Sequence, residues 1–477
     1  MDKPSATLVA ESHNPDGPHL LTTSSSSSKD PFFKSVQWTS DGTTLITSSS
    51  TNHISSFVLP STLLDPSRSS PLSLSATSTI PLPEPTSSLA PCPYFSLENP
   101  YSQVLLTAST DHPLHLRSLF PSSSSPESQK PIASFRLIKH ETEAYLPVTS
   151  LLWPSPGTHF IAGTTNKIAL FDVSRPDSLV PEPVFVIPTI PSTRHISKGN
   201  GIGMKGTVSA LSLSPSEEGS STAGLLAAGT WTRWLGLYDI YRSAKPVANW
   251  SVKPAADETN IGGKGIVQTQ WSPCGRYLVV NERGATGLLV YDLRGASKGL
   301  LCHLAGRDGT TNQRLSLDVF PSSNENGGFE VWAGTKDGKV VVYEGVGTTD
   351  TAMEPAWEWE ASTGGVAAIG ATAMHLGGSV VATCSGSWRV ADVESDSDSE
   401  SDSESEEETE EENGETDSSS GSSSSSSSSE ASARSHITKP KPRIVVEETS
   451  LKVWTIGGGG GGYPSPGPET MDGETRD

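Results

Sequence analysis

The side chains best suited to chemistry in this chain are basic. Lys198, Lys205, Arg233, Lys264, Arg307 and Arg314 lie in or beside the turn-rich connections between short apolar runs. Lysine and arginine both pair with phosphate oxygens, so these six on one surface would make a modest positive patch able to meet RNA phosphates. Spread over several faces, the same six are scattered surface charge. The other constellations are weaker. His112 and His115 are three apart, a spacing that on a strand points them to opposite faces and away from a common metal. Glu358 and Glu360 share a face but alternate with Trp357 and Trp359, which is the pattern of a solvated outer strand and not of a general acid and base. The Gly-rich run 199–206 has Gly after its Lys, where a phosphate-cradling loop needs Ser or Thr, and a strand-like run where that loop needs a helix. It reads as a turn into a strand, as does 262–265, with Gly supplying positive φ. No Gly-x-Ser-x-Gly or His-Glu-x-x-His spacing occurs. The expectation is a chain that is not an enzyme, with no cofactor and no metal.

The net charge of −21 is local. Residues 392–417 hold fifteen Asp or Glu and no Lys or Arg, leaving about −6 for the rest of the chain. So mildly acidic a body does not suggest a broad basic DNA-binding face and leaves room for a local patch. In the acidic run Ser395, Ser397, Ser399, Ser401, Ser403 and Ser405 each have Asp or Glu three residues later. An acid-directed kinase takes that arrangement, and phosphorylation would deepen the negative charge. A solubilising tract, or one that attracts histone-like basic proteins, has the same composition. Lys439, Lys441 and Arg443 form a weak basic cluster of nuclear-import type. Cys92, Cys274, Cys302 and Cys384 are far apart, which suggests buried free thiols and not a disulfide or zinc framework. The first ten residues have no apolar core, and no apolar run approaches the ~18 residues of a membrane helix. A soluble intracellular protein is expected.

The elements that must position the basic residues repeat along the chain. Between Ile266 and Glu344 two successive units each hold three strand-length apolar runs separated by Pro, Gly, Ser and Asp turns. Trp38 to Gly42, Trp153 to Gly157 and Trp271 to Gly275 are all four residues apart, and the closing aromatics Phe57, Phe171 and Tyr291 follow those tryptophans by 19, 18 and 20 residues. Further units begin near Tyr94, Val208 and Val366. Seven such units predict an all-β, seven-bladed WD40-type β-propeller with disordered inserts and termini. Blade seven is interrupted by a disordered acidic insert at 391–436 and resumes at Leu451. The expected limits are a disordered N-terminus at 1–18, the propeller at 19–456 and a flexible Gly-rich tail at 457–477. A strand at 19–23 would close the ring, since an open ring leaves an unpaired edge. Residues 60–93, rich in Ser and Pro, read as a long surface connection.

At Thr310-Thr311-Asn312-Gln313-Arg314 the chain resembles the telomerase Cajal body protein family of WD-repeat proteins, including its fungal splicing-associated relatives. The stretches 33–38 and 205–215, with Leu235-Gly236-Leu237-Tyr238 and Tyr291-Asp292-Leu293-Arg294, fit the same family. The resemblance implies a non-enzymatic nuclear scaffold associated with small nuclear RNPs, in pre-mRNA splicing or small-RNA biogenesis, and also compatible with a cytoplasmic pool. Its partners would be small nuclear or Cajal-body-type RNA and RNP proteins, with no membrane and no small-molecule substrate, the chain being a monomer within a larger complex. The long Ser/Pro inserts and the acidic insert depart from the animal pattern and favour the splicing side over telomerase. The competing reading is a protein-only WD40 adaptor in chromatin or ubiquitin-ligase complexes. Within the family motif Thr311, Asn312, Gln313 and Arg314 precede an innermost strand. Asn312 and Gln313 are expected to hold the turn, and Arg314 either pairs with Asp318 or faces the rim.

Overall fold

Runs of aliphatic and aromatic residues bounded by Gly, Asp, Ser and Pro become strands, and consecutive strands pair as antiparallel meanders. The computed structural model describes residues 4–13, 31–121, 130–174, 181–190, 204–215, 224–240, 242, 245–294, 299–322, 327–365, 367–391, 443–446 and 448–457. These form a seven-bladed β-propeller, each blade a sheet whose first strand lies innermost. The innermost strands are Phe33–Trp38, Thr86–Pro91, Ser150–Leu152, Val208–Leu213, Ile266–Trp271, Leu317–Pro321 and Ile369–Met374.

Because the blades stand face to face, their second strands are covered on both sides. Thr44–Ser49, Phe329–Gly334 and Val380–Ser385 are buried at every position. They show no in–out alternation but continuous burial, as in any strand covered on both faces. Between blades two and three, Phe160 and Phe171 stack at 4.8 Å while Phe135 meets Phe160 edge-on at 4.9 Å. Such pairs contribute about 0.5–1.5 kcal/mol beyond their buried area.

Blade seven is assembled from both ends of the chain. Val380–Ser385 pairs with Ser450–Gly457, so the third strand does arrive after the acidic insert. The outer strand is Ser5–Ser12, antiparallel to Ser450–Gly457 from Ser5↔Gly457 to Ser12↔Leu451. Leu72–Ser73 adds a short parallel fifth strand.

Three expectations are corrected here. Closure uses Ser5–Ser12, inside the stretch expected to be disordered, while 19–23 lies outside the described residues. In that strand Ala6, Leu8 and Ala10 carry the apolar contacts, a pattern easily lost between polar neighbours. Residues 60–93 are not a bare connection. They hold the outer strand of blade one, Ser78–Pro81, and the inner strand of blade two, Thr86–Pro91. Their prolines sit at strand ends, where a missing N–H breaks no ladder. Residues 94–97, expected as that inner strand, form the turn region after it.

Trp388–Ala391 and Arg443–Val446 pair as a separate two-stranded sheet, and residues 389–445 form a unit of their own. Ser395, Ser397, Ser399, Ser401, Ser403 and Ser405, the basic cluster at 439–442 and the tail from 458 lie outside the described residues. Cys92, Cys302 and Cys384 are buried free thiols and Cys274 is partly exposed. Among the described residues, no helix is long and apolar enough to cross a membrane.

Candidate functional site

Every blade enters by its innermost strand, and every strand reverses into the next. The connection into each blade and the turn between its second and third strands therefore share one rim. Lys205, Arg233, Lys264, Arg307 and Arg314 all fall in such connections or turns. The topology brings them to one end of the ring, and Lys198 lies outside the described residues.

That rim opens into the central channel, a cavity of about 1070 Å³ lined by the inner strands of all seven blades. In five blades the inner strand is bulged at its second residue, which is skipped in the pairing: Lys34, Ser87, Ser209, Val267 and Gly370. A bulge re-aims its side chain, here toward the neighbouring blade. Ser87 Oγ donates to Val148 O at 2.5 Å, and Ser209 Oγ to Ile266 O at 2.5 Å. Thr149 Oγ1 makes the same latch to Val208 O at 2.7 Å. Lys34 occupies the equivalent place in blade one, reaching Thr86 O at 3.5 Å, so an ammonium stands where other blades have a hydroxyl. Val267 offers no donor, and the joint between blades five and six is made differently. Gln268 Nε2 donates to Leu317 O and its Oε1 accepts from Leu317 N, both at 2.8 Å. Arg314 Nη2 donates to Val267 O at 2.7 Å.

Lys34 and Arg314 thus line one channel mouth, together with Arg283 and Trp231. Arg283 follows the second strand of blade five, and its guanidinium lies 4.4 Å from the centroid of the Trp231 ring, which follows the second strand of blade four. Trp231 is 42% exposed. Gly265, at φ +154°, comes so close that a Cβ there would lie 2.6 Å from Trp231 O. Burial, and then the nearby Arg314, lower the Lys34 pKa from its ordinary value. Burial, and then Arg283, do the same to Arg314. Among the described residues no carboxylate lies in ion-pair range of these three cations.

The six basic residues read from the sequence separate into different roles. Lys205 and Lys264 are exposed on the rim. Arg233 is neutralised: its Nε lies 2.6 Å from Glu282 Oε2, and Nη2 donates to Gly262 O at 3.1 Å. Arg307 is 2% exposed, with Nε donating to Gly334 O at 2.9 Å and Nη1 to Asn281 Oδ1 at 2.8 Å. A guanidinium so enclosed cannot reach a phosphate, which corrects its expected place among the contacts. Of the family motif, Thr311 Oγ1 accepts from Gln313 N at 3.1 Å and Gln313 Nε2 donates to Gly386 O at 2.8 Å. Those two hold the joint with blade seven, Asn312 is exposed, and Arg314 faces the channel without pairing to Asp318. His115 is turned to Ser134 Oγ at 2.9 Å, with its pKa lowered to about 4 chiefly by burial, whereas His112 is bonded to Thr110 O in a turn. Glu358 and Glu360 are exposed on the outer strand of blade six.

Sequence reasoning missed Lys34, Arg283 and Trp231, although a signal existed. Aligning the repeats puts Lys34 opposite Ser87 and Ser209, and puts Trp231 and Arg283 opposite Ser50, Thr110, Thr165, Thr335 and Gly386. Three large residues stand where the other blades have small ones.

Asp318 gives the channel its opposite pole. Its carboxylate accepts from Met374 N at 2.8 Å, at the far end of blade seven's inner strand, and from Val319 N at 2.9 Å. Burial outweighs those bonds and raises its pKa from 3.8 to about 6. Between those values the folded state binds more protons than the unfolded one. Its stabilising contribution is complete below pH 3.8 and lost as pH rises through 6. Asp318→Asn removes that dependence. Its melting temperature relative to the parent is expected to rise between pH 4 and 7, by the equivalent of about 3 kcal/mol at most, since one pKa unit is ~1.4 kcal/mol. Losing one of the two backbone bonds adds a constant offset. Melting curves whose difference is flat across this range would contradict the assignment.

No protein-family model matches the chain. It is similar to guanine nucleotide-binding protein negative regulator 1 of Schizosaccharomyces pombe, 26% identical over 65% of this chain and 69% of that protein. It is also similar to telomerase Cajal body protein 1 of Mesocricetus auratus, 26% identical over 63% of this chain and 50% of that protein. The Homo sapiens protein of that name is 25% identical over 63% of this chain and 49% of its own length. The chain therefore spans about half the length of these telomerase Cajal body proteins. Among solved structures, the β-propeller domain of Cps50 (Swd1) from Myceliophteria thermophila has 17% identity and a TM-score of 0.47, covering 76% of this chain and 95% of that one. The resemblance read from residues 310–314 holds over nearly two thirds of the chain, whose fold is a seven-bladed β-propeller.

Proposed function

We propose that this chain, a WD-repeat propeller related to telomerase Cajal body protein 1, is a non-enzymatic nuclear scaffold of small nuclear RNPs that serves pre-mRNA splicing or small-RNA biogenesis. The observation that carries the reading is the cationic channel mouth on the rim that also bears Lys205, Lys264 and the family motif. Cations without carboxylate partners, exposed at Lys205, Lys264 and Arg314 and half-buried at Lys34 and Arg283, are what RNA phosphates require. The fold supports the scaffold reading, since a propeller ring offers its rims to RNA and protein together.

A protein-only adaptor is the competing reading. It is favoured by the neutralisation of Arg233 and Arg307, which thins the basic rim, and by the name of the fission-yeast relative, which speaks of regulating a guanine nucleotide-binding protein. Affinity purification from nuclear extract with and without ribonuclease separates the two. The scaffold reading expects small nuclear RNAs to be enriched and most RNP proteins to be released on ribonuclease treatment. Partners retained in full, with no RNA enriched, would establish the adaptor instead.

A further inference from the structure

We propose that the channel mouth formed by Lys34, Arg283, Arg314 and Trp231 is a binding site for unpaired RNA, with the cations taking backbone phosphates and Trp231 stacking a base. This deepens the RNP reading above and rests on it. Four features converge at the mouth. Lys34 and Arg314 sit at the entrance of a channel about 1070 Å³ in volume, each spending a hydrogen bond on one backbone carbonyl. Arg283 Nε is buried without a hydrogen-bond partner among the described residues, although its guanidinium is fixed over the Trp231 ring at 4.4 Å. Burial comes first, but Arg314 also lowers the Lys34 pKa and Arg283 that of Arg314, so the cations lie close enough for an anion among them to relieve repulsion. Finally, 42% of Trp231 remains exposed beside that charge, which a ligand with both an anionic backbone and flat rings would use.

An acidic peptide would satisfy the charge and leave the indole without purpose. A duplex buries its base faces and has none to stack. Asp318, bonded to the last residue of blade seven's inner strand, disfavours phosphate deeper in the channel and confines the strand to the mouth.

The test uses the full chain and a labelled, unstructured oligouridylate, with binding followed by fluorescence anisotropy over a range of salt. Lys34→Gln, Arg283→Gln and Arg314→Gln are each expected to weaken binding and to reduce the slope of log affinity against log salt by about 0.7 for each phosphate no longer neutralised. Trp231→Ala is expected to weaken binding roughly tenfold with the slope unchanged. A duplex of the same length should bind more weakly and be insensitive to Trp231→Ala. Melting temperatures guard against unfolding, and if Arg314→Gln fails to fold, Lys34→Gln and Trp231→Ala decide. Parent-like affinity and slope in folded variants would overturn the site while leaving RNA binding elsewhere on the protein intact. Polyglutamate that displaces the oligouridylate at equal or lower concentration would overturn it in favour of an acidic peptide. Failure of the unmodified chain to bind the oligouridylate at all would overturn the site and count against the RNP reading as well.

Discussion

Removing residues 1–13 is expected to lower the melting temperature by on the order of 10 °C and to make the protein self-associate. Ser5–Ser12 pairs at seven positions with Ser450–Gly457 and joins the two ends of the chain across blade seven. Each backbone hydrogen bond contributes about 1 kcal/mol net, so removing the ladder alone costs about 5 kcal/mol, and a domain of this size loses ~2–4 °C per kcal/mol. The burial of Ala10, and the packing of Leu8 on the aromatic cluster around Trp454, add to that. The exposed edge of Ser450–Gly457 would then seek another strand, and a second molecule is the nearest supply. A synthetic peptide of residues 4–13 should restore the melting temperature in trans. A truncated chain that melts as the parent does and stays monomeric would show that the ring closes by other means.

Asn281→Ala is expected to cost about 2–4 kcal/mol, because it leaves a buried guanidinium N–H and the Leu315 carbonyl without their partner. Arg307 lies inside the connection between blades five and six, where burial pushes its pKa down to about 10. Asn281 Oδ1 accepts from its Nη1 at 2.8 Å, while Asn281 Nδ2 donates to Leu315 O at 2.7 Å. One amide therefore neutralises part of the guanidinium's demand and holds the backbone leading into the next inner strand. Alanine removes both bonds without removing the charge. Pairing Asn281→Leu with Arg307→Met eliminates the charge too, and that double variant should cost clearly less than the sum of the single changes. Chemical denaturation measures both. A loss under about 1 kcal/mol for Asn281→Ala would mean that Arg307 finds another acceptor.

What was legible in the sequence follows from how repetition works. The spacing of Trp38, Trp153 and Trp271 to their glycines reflects a strand end and turn shared by blades one, three and five, so the repeat itself could be read off directly. Ser5–Ser12 could not, because an outer strand touches its sheet along one edge and needs few apolar residues. Likewise Thr86–Pro91 is an inner strand lining the central channel, and its composition resembles a loop. At the candidate site the loops were readable and the side chains were not. Arg307 and Arg314 are seven residues apart in one connection, yet one is sealed against Gly334 O and Asn281 while the other opens into the channel. Only tertiary packing separates them. Lys34, Arg283 and Trp231 come from three different blades; Trp231 and Arg283 share the position after a second strand and Lys34 sits at the bulge of an inner strand, a pattern visible when blades are compared with each other and hidden when loops are searched for charge.

We propose above that this propeller works on small nuclear RNA. Ultraviolet crosslinking of the full chain in its own cells, followed by recovery and sequencing of the attached RNA, tests it most directly. Small nuclear RNAs are expected to be enriched well above a non-crosslinked control, with the crosslinked peptides drawn from the rim that carries Trp231, Lys264 and Arg314. Recovery at background level, with protein partners still bound, would contradict it.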